Sequence, residues 1–294
     1  MSIALTHQPA TAGAGTLPIL EAELADCLAQ GRLALPSFPD VAVRIRRVLA
    51  DERATPAQIE RVLGSEPALA AQLMRLANSA ALNPAGRAVT AIRTAVARLG
   101  INIVRSATIS FAMSQVRHAG ELKGLETRLD ALWRRSTLVA ALCYVSASHC
   151  PGLDPDEALL TGLLHGVGRL FLLSRLNRYP DLLANPVACQ QLEQAWQVRI
   201  ATAILEQWEM PPAIVRAIGS QDEGEREHAG PADLADVLLV ANLLASFRDS
   251  QPELMSALQH VPAMHRMGPD GAQLLAIIDA SRQQLDTLQA AFGP

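Results

Sequence analysis

Seven histidines and four cysteines are the side chains here best suited to chemistry, and their spacing removes most of the options. No GxSxG turn is present, so no serine nucleophile is signalled. Cys27, Cys143, Cys150 and Cys189 form no CxxC pair, and His149 beside Cys150 is a poor couple because adjacent helical residues point apart. His260 and His265 lie off a shared helical face and do not suggest a metal pair. His118, His149 and His228 read as surface or loop residues. His165 is different: it interrupts the apolar run LLTGLLHGVGRLFLL, with Arg169 four residues on. A catalytic metal takes about three protein ligands, so His165 alone cannot hold one. Its plain reading is a core-edge histidine with one hydrogen-bonded nitrogen.

The rest of the composition narrows the class. Half of the 294 residues are hydrophobic but 3% are aromatic, a balance of Ala and Leu that suits packed helices. The net charge of −4 does not predict a broad basic face for nucleic acid. The pair 55–63 and 67–80 has a helix-turn-helix outline, but the second helix spends its best face on Leu69, Leu73 and Leu76. No secretory segment opens the chain, and the apolar run around His165 falls short of the ~20 residues that span a bilayer. The expectation is a cytoplasmic protein with reduced thiols, outside the membrane and without a bound cofactor or metal.

Helices are expected throughout. Residues 1–16 are Thr-, Ala- and Gly-rich and read as a mobile tail. Leu20, Leu24 and Leu28 then share a face, and LPSFPD leads into a helix turning Val41, Ile45, Val48 and Leu49 inward. Thr55-Pro56-Ala57-Gln58 is a capping-box start, and Ser65-Glu66-Pro67 opens the next helix. Gly100 divides a helix through Ile92 from one over 103–116. The polar segment 117–124 separates an N-terminal lobe, 17–123, from a second lobe, 124–294. In the latter, helices are expected over 125–149, from Asp154 through the His165 run, over 187–208, from Pro211-Pro212, and in two or three closing segments including 234–247 and 272–292. No alternating stretch argues for a strand, so the fold class is all-α with two lobes.

Two stretches carry a family resemblance. LPSFPDVAVRIRRVLADERATPAQIERVLGSEPALAAQLMRLANSA, from Leu35 to Ala80, is similar to the opening of the HDOD family, the HD-related output domain. The run around His165 resembles the central helix of the HD hydrolases, except that Gly166 stands where their aspartate follows the histidine. Lesser echoes are Leu132 to Ser136 and Trp208 to Ile214, so the resemblance spans about 33–221.

The resemblance implies a helical lobe packed on a degenerate HD-like lobe, in a regulatory bacterial protein not credited with hydrolysis. Arg135 stands where an HD histidine would be, Ser220 and Gln221 where others would follow, and Asn242 near a late aspartate. The resulting candidate cleft for a ligand or partner is Arg135, His165, Arg169 and Gln221. If both arginines reach it, they could grip the phosphate of a nucleotide or cyclic dinucleotide; the plainer reading pairs them with acids or leaves them in water. Arg75, Asn78 and Ser79 are candidates for the lobe interface, against a structural reading in which Asn78 and Ser79 end their helix. Arg44, Arg46, Arg47, Arg53 and Arg61 form a solvated face or meet a partner's acidic surface. The expected partners are other signalling proteins, with a homodimer also plausible.

Overall fold

Prolines and capping side chains set the helix starts. Thr55 and Gln58 close a reciprocal capping box, as do Asp233 with Asp236 and Asp270 with Gln273. The computed structural model describes residues 16–35, 39–51, 53–83, 86–117 and 120–292. The expected tail up to residue 15, Pro36 to Phe38 in the entry segment, the Val41 side chain, Pro84-Ala85 and His118 lie outside the described residues.

The N-terminal part holds α1 (Thr16–Ala29), α2 (Asp40–Ala50), α3 (Pro56–Gly64), α4 (Pro67–Ala77) and α5 (Ile92–Arg117), the last broken at Gly100, where φ is +75°. After a short 3-10 turn come α6 (Glu126–Ala147), α7 (Pro155–Leu164), α8 (Val167–Leu176), α9 (Pro180–Leu183), α10 (Pro186–Gln207) and α11 (Pro212–Gly219). The closing segment is α12 (Leu234–Ser246), α13 (Gln251–His260), α14 (Pro262–Met267), α15 (Gly271–Ala280) and α16 (Arg282–Phe292). No strand occurs among the described residues, so the fold is all-α.

Two details differ from the sequence expectation. The run from Asp154 through His165 is two helices, because the chain turns at His165-Gly166 before α8 begins. The closing segment holds five helices: Pro262 starts a new one, Gly268 turns at φ +92°, and Ser281 divides the expected 272–292 helix.

The centre is a stack in which α7 lies on α6 and α8 lies on α10. Both contacts are backbone against backbone. A Cβ on Gly162 would sit 2.4 Å from Ala140 Cα, and one on Gly168 would sit 2.0 Å from the Gln197 carbonyl oxygen. This run also has the length and composition of a membrane span over 155–176, but 78% of that apolar window is buried in the fold.

The apolar interior is continuous between the two parts. Helix α1, expected with the N-terminal lobe, packs on α10. Its Glu23 takes Arg178 at 3.1 Å, Arg175 at 3.7 Å and the Tyr179 hydroxyl at 3.0 Å. Helix α16 returns to cover α4 and α6. Buried Gln72 donates to the Ala291 carbonyl at 3.3 Å, and Ser110 donates to the Phe292 carbonyl at 3.0 Å. Asn102 donates to the Asp154 carboxylate at the start of α7 at 3.0 Å.

Gly162→Ala and Gly168→Ala should each destabilise the fold by about 3 kcal/mol or more, because the colliding atoms are backbone and cannot swing aside. Gly219→Ala, whose Cβ would meet only Thr202 Oγ1 at 3.5 Å, should stay within about 1 kcal/mol of the parent. Urea melts of the three variants check this; equal midpoints would disprove the backbone-contact account.

Candidate functional site

His165 ends α7 and is buried. Its Nδ1–H donates to the Gly162 carbonyl, Nδ1 to O 2.6 Å, since a carbonyl can only accept. Nε2 therefore carries a lone pair, which is buried without a hydrogen-bond partner. Burial pushes the imidazole down to about 4, against the pull of the Gly162 bond, and the nearby charges of Arg169 and Arg135 push the same way. The ring is neutral at physiological pH. The one-bonded-nitrogen reading of His165 matches this geometry, though the residue sits in the core and not at its edge.

Gly166 faces mainly apolar surroundings, with the Ser136 hydroxyl beside it. A Cβ there would lie 2.9 Å from Ser136 Oγ and 3.1 Å from Leu132 Cδ1. The adjoining cavity is about 30 Å³ and is lined by Met113, Leu129, Trp133 and Leu170 among others. A nucleotide does not fit such a space, and a carboxylate placed against it would lose its hydration.

The four cleft candidates do gather round His165, but its two arginines are already engaged. Gln221, buried, donates to the His165 carbonyl at 3.4 Å. Arg169 Nε donates to Gln197 Oε1 at 2.6 Å and lies 3.6 Å from Glu193. Gln197 in turn donates to Asp222 at 2.7 Å. Arg135 Nη2 donates to Ser246 Oγ at 3.0 Å and to Asn242 Oδ1 at 3.3 Å. Burial lowers the Arg135 pKa and Arg169 adds to the effect, and Arg135 makes no ion pair among the described residues. Arg169 thus follows the plain reading of an arginine paired with an acid, whereas Arg135 pairs with neutral groups. Arg135 also opens with Arg134 and Arg248 onto a groove of about 550 Å³ between α6, α12 and α16.

A divalent cation would meet one imidazole nitrogen and two guanidinium groups here. Metal centres of hydrolases require several deprotonated ligands, so the residues round His165 do not fit one.

The expected lobe-interface role of Arg75, Asn78 and Ser79 does not hold. Asn78 accepts from the Val89 N–H at 2.8 Å and donates to its carbonyl at 2.9 Å, clamping the following loop onto the end of α4. Ser79 donates to the Leu76 carbonyl at 2.8 Å, and Arg75 is exposed. Gln72, Ser110 and Asn102 tie the parts together instead. Gln72 had a readable signal, a glutamine on the buried face of PALAAQLMRLA.

A second cluster went unread in the sequence. Asp236, its side chain 2% exposed, takes Arg266 at 2.7 Å, Arg226 at 3.5 Å and His228 Nε2 at 2.9 Å. Arg226 also pairs with Asp233. His228 is therefore a packed partner and not a free loop residue. Burial pushes the Asp236 carboxyl up, but bonds from Arg266 and His228 outweigh it and hold the group below the usual carboxylate range. His228, Asp233 and Asp236 could in outline hold a metal ion, yet two arginines already neutralise both acids.

The HDOD domain family matches residues 35–223, about two-thirds of the sequence, and the chain belongs to that family. Membership fits a regulatory role. No curated protein matches the sequence. Among solved structures, a Shewanella amazonensis SB2B protein provisionally described as a metal-dependent phosphohydrolase is similar with a TM-score of 0.72 at 22% identity, over 95% of this chain and 100% of that one. An HDOD domain protein of unknown function from Geobacter sulfurreducens gives 0.67 at 23%, over 92% and 99%. A Marinobacter aquaeolei VT8 protein provisionally described as acting in signal transduction gives 0.60 at 21%, over 96% of this chain and 66% of that one. At such identities the likeness shows the shared fold.

Two outcomes are expected. An unfolded imidazole titrates near 6.5 and the folded His165 near 4, so the unfolded chain binds the extra proton between these values. Stability should fall as pH drops through that window, by up to about 3 kcal/mol from this group. Asp156, raised to about 6 by burial and by Asp154, acts in the opposite direction between its ordinary 3.8 and that value. The measurement is therefore a difference: His165→Asn, which keeps a donor for Gly162, should lose less stability than the parent between about pH 6.5 and 4. Identical pH profiles would refute a buried neutral imidazole. Separately, Asp236→Asn should cost about 3 kcal/mol in a thermal melt, because it leaves the largely buried Arg266 guanidinium without its carboxylate while Arg226 keeps Asp233.

Proposed function

We propose that this protein is a signalling module that acts by binding other proteins and does not hydrolyse phosphodiesters. The observation that carries the reading is the make-up of the pocket round His165: one imidazole lone pair, two guanidinium groups, and amides or hydroxyls where a hydrolase needs carboxylates. Without a first-row cation there is no activated water and no Lewis acid for a phosphoryl oxygen. HDOD membership supports the regulatory part of the reading. Four buried free thiols agree with a cytoplasmic setting.

The binding face favoured is the exposed basic surface of α2 and α3, with Arg44, Arg47 and Arg61. It suits an acidic surface on a signalling partner, because exposed arginines gain most from a fixed array of carboxylates. A nucleotide reading keeps one supporting feature, the groove beside Arg134, Arg135 and Arg248; calorimetry with a nucleotide panel decides it, heat lost in Arg134→Gln being the positive result.

Two measurements test the main reading. Purified protein incubated with Mn²⁺ and bis(p-nitrophenyl) phosphate should show no turnover above a His165→Ala variant. Capture from the native cell should retrieve a partner that Arg44→Glu with Arg47→Glu no longer retains. Metal-dependent turnover abolished by His165→Ala would end the non-catalytic reading, and capture indifferent to the charge reversal would end the assignment of the face.

A further inference from the structure

A cavity of about 180 Å³ lies where the N-terminal part meets the second lobe, remote in sequence from the His165 pocket. Its walls come from α2 (Arg46, Leu49), from α5 (Arg105, Ile109) and from the turn between α10 and α11 (Trp208, Met210). The apolar side chains give it a hydrophobic body. Arg46 and Arg105 put two positive charges on its lining, against the one carboxylate of Glu209.

Neither arginine is neutralised by an ion pair among the described residues. Arg105 is held in place by neutral groups, donating to the Leu49 carbonyl at 2.8 Å and to Asn102 Oδ1 at 3.4 Å. Arg46 lies over the Trp208 ring, 5.8 Å from its centroid, and its Nη1 is buried without a hydrogen-bond partner. Burial lowers the pKa of both, against the opposing charges of exposed Glu209 on Arg46 and of Glu157 on Arg105, and neither acid lies within salt-bridge distance of its arginine among the described residues. A half-buried guanidinium with an unpartnered nitrogen, on the same cavity wall as a second one hydrogen-bonded only to neutral groups, attracts an oxyanion.

The turn that forms the floor is unusual. Met210 N–H bonds to the Leu205 carbonyl at 3.0 Å and Glu209 N–H to the Glu206 carbonyl at 2.9 Å. This is a Schellman closure of α10, whose left-handed position normally takes glycine. Here Glu209 occupies it at φ +53°, the one non-glycine residue with positive φ among the described residues. The fold tolerates a strained glutamate where a glycine would sit more easily, and the strain places a carboxylate at the rim of the cavity.

We propose that this inter-lobe cavity binds a small organic anion: a carboxylate or phosphate held by Arg46 and Arg105, with a flat apolar body against Trp208, Ile109 and Met210. The size agrees, since a cavity of about 150 Å³ accepts benzene and this one leaves room for a ring with a short headgroup. Glu209 guards the empty site by partly neutralising Arg46 and yields when the anion enters. The site is independent of the protein-binding reading above and stands or falls without it.

The test is ligand-observed NMR on the full chain with benzoate, phenyl phosphate, benzyl alcohol and inorganic phosphate. Benzoate or phenyl phosphate should bind saturably, and whichever binds more tightly identifies the headgroup as carboxylate or phosphate ester. Benzyl alcohol should bind at least about tenfold more weakly, the loss expected for a charge-assisted hydrogen bond. Arg46→Gln should weaken the better anion by about tenfold or more, and Glu209→Gln should strengthen it severalfold. The second variant is at an exposed side chain, so it decides the matter even if Arg46→Gln fails to fold. No binding of any probe up to about 10 mM, a range that reaches the weakest specific sites, would overturn the proposal. So would equal affinity for benzyl alcohol or inorganic phosphate, or an affinity that Glu209→Gln leaves unchanged.

Discussion

The contact on which the rest of this molecule depends is the absence of two side chains. Gly162 lets α7 rest on the Ala140 backbone of α6, and Gly168 lets α8 rest on the Gln197 carbonyl of α10. Helices at that separation gain dispersion contacts along their whole length, and they leave no freedom to slide. The chain must change direction between the two contacts, at His165-Gly166. The position of the buried imidazole, and of everything bonded to it, follows from where those two pairs of helices meet.

Charge is handled differently in the two polar clusters. Round Asp236, acids and arginines balance at short range, and the result is a tightly held corner joining α12, α14 and the loop before α12. Round His165, Arg169 has Glu193 3.6 Å away and reaches Asp222 through Gln197, so its charge is answered while that of Arg135 is not among the described residues. Arg135 leans on neutral oxygens, and the imidazole is kept unprotonated first by burial and then by the two arginines. An HD-type centre needs the reverse balance, negative ligands that attract a cation.

Much of the helical plan was legible along the chain. Thr55-Pro56-Ala57-Gln58 and Asp154-Pro155 announce helix starts through their own caps, and the stripe Leu69, Leu73, Leu76 announces a buried face; all three are local signals that need no knowledge of the rest of the fold. The break at His165-Gly166 was less legible, because apolar residues on both sides hide a change of direction from any periodicity. The roles of Asn78 and Ser79 divided in the same way. Their helix-ending bonds are local and readable, while the interface is made by Gln72, Ser110 and Asn102, whose partners lie 219, 182 and 52 residues away.

By itself the sequence determined an all-α chain, the HDOD resemblance, the loss of the metal-binding residue types, and the clustering of Arg135, His165, Arg169 and Gln221. The all-α class follows from residue identity and short spacing, and the cleft residues and missing ligands from the family resemblance, both of which survive without coordinates. Only the tertiary structure decided which arginine has a carboxylate beside it, that Gly166 faces an apolar gap, that His228 and Asp236 are partners, and that Arg46, Arg105 and Trp208 share one cavity. Those facts depend on which helices touch, and helix contacts are chosen by the summed packing of many side chains far apart in the chain.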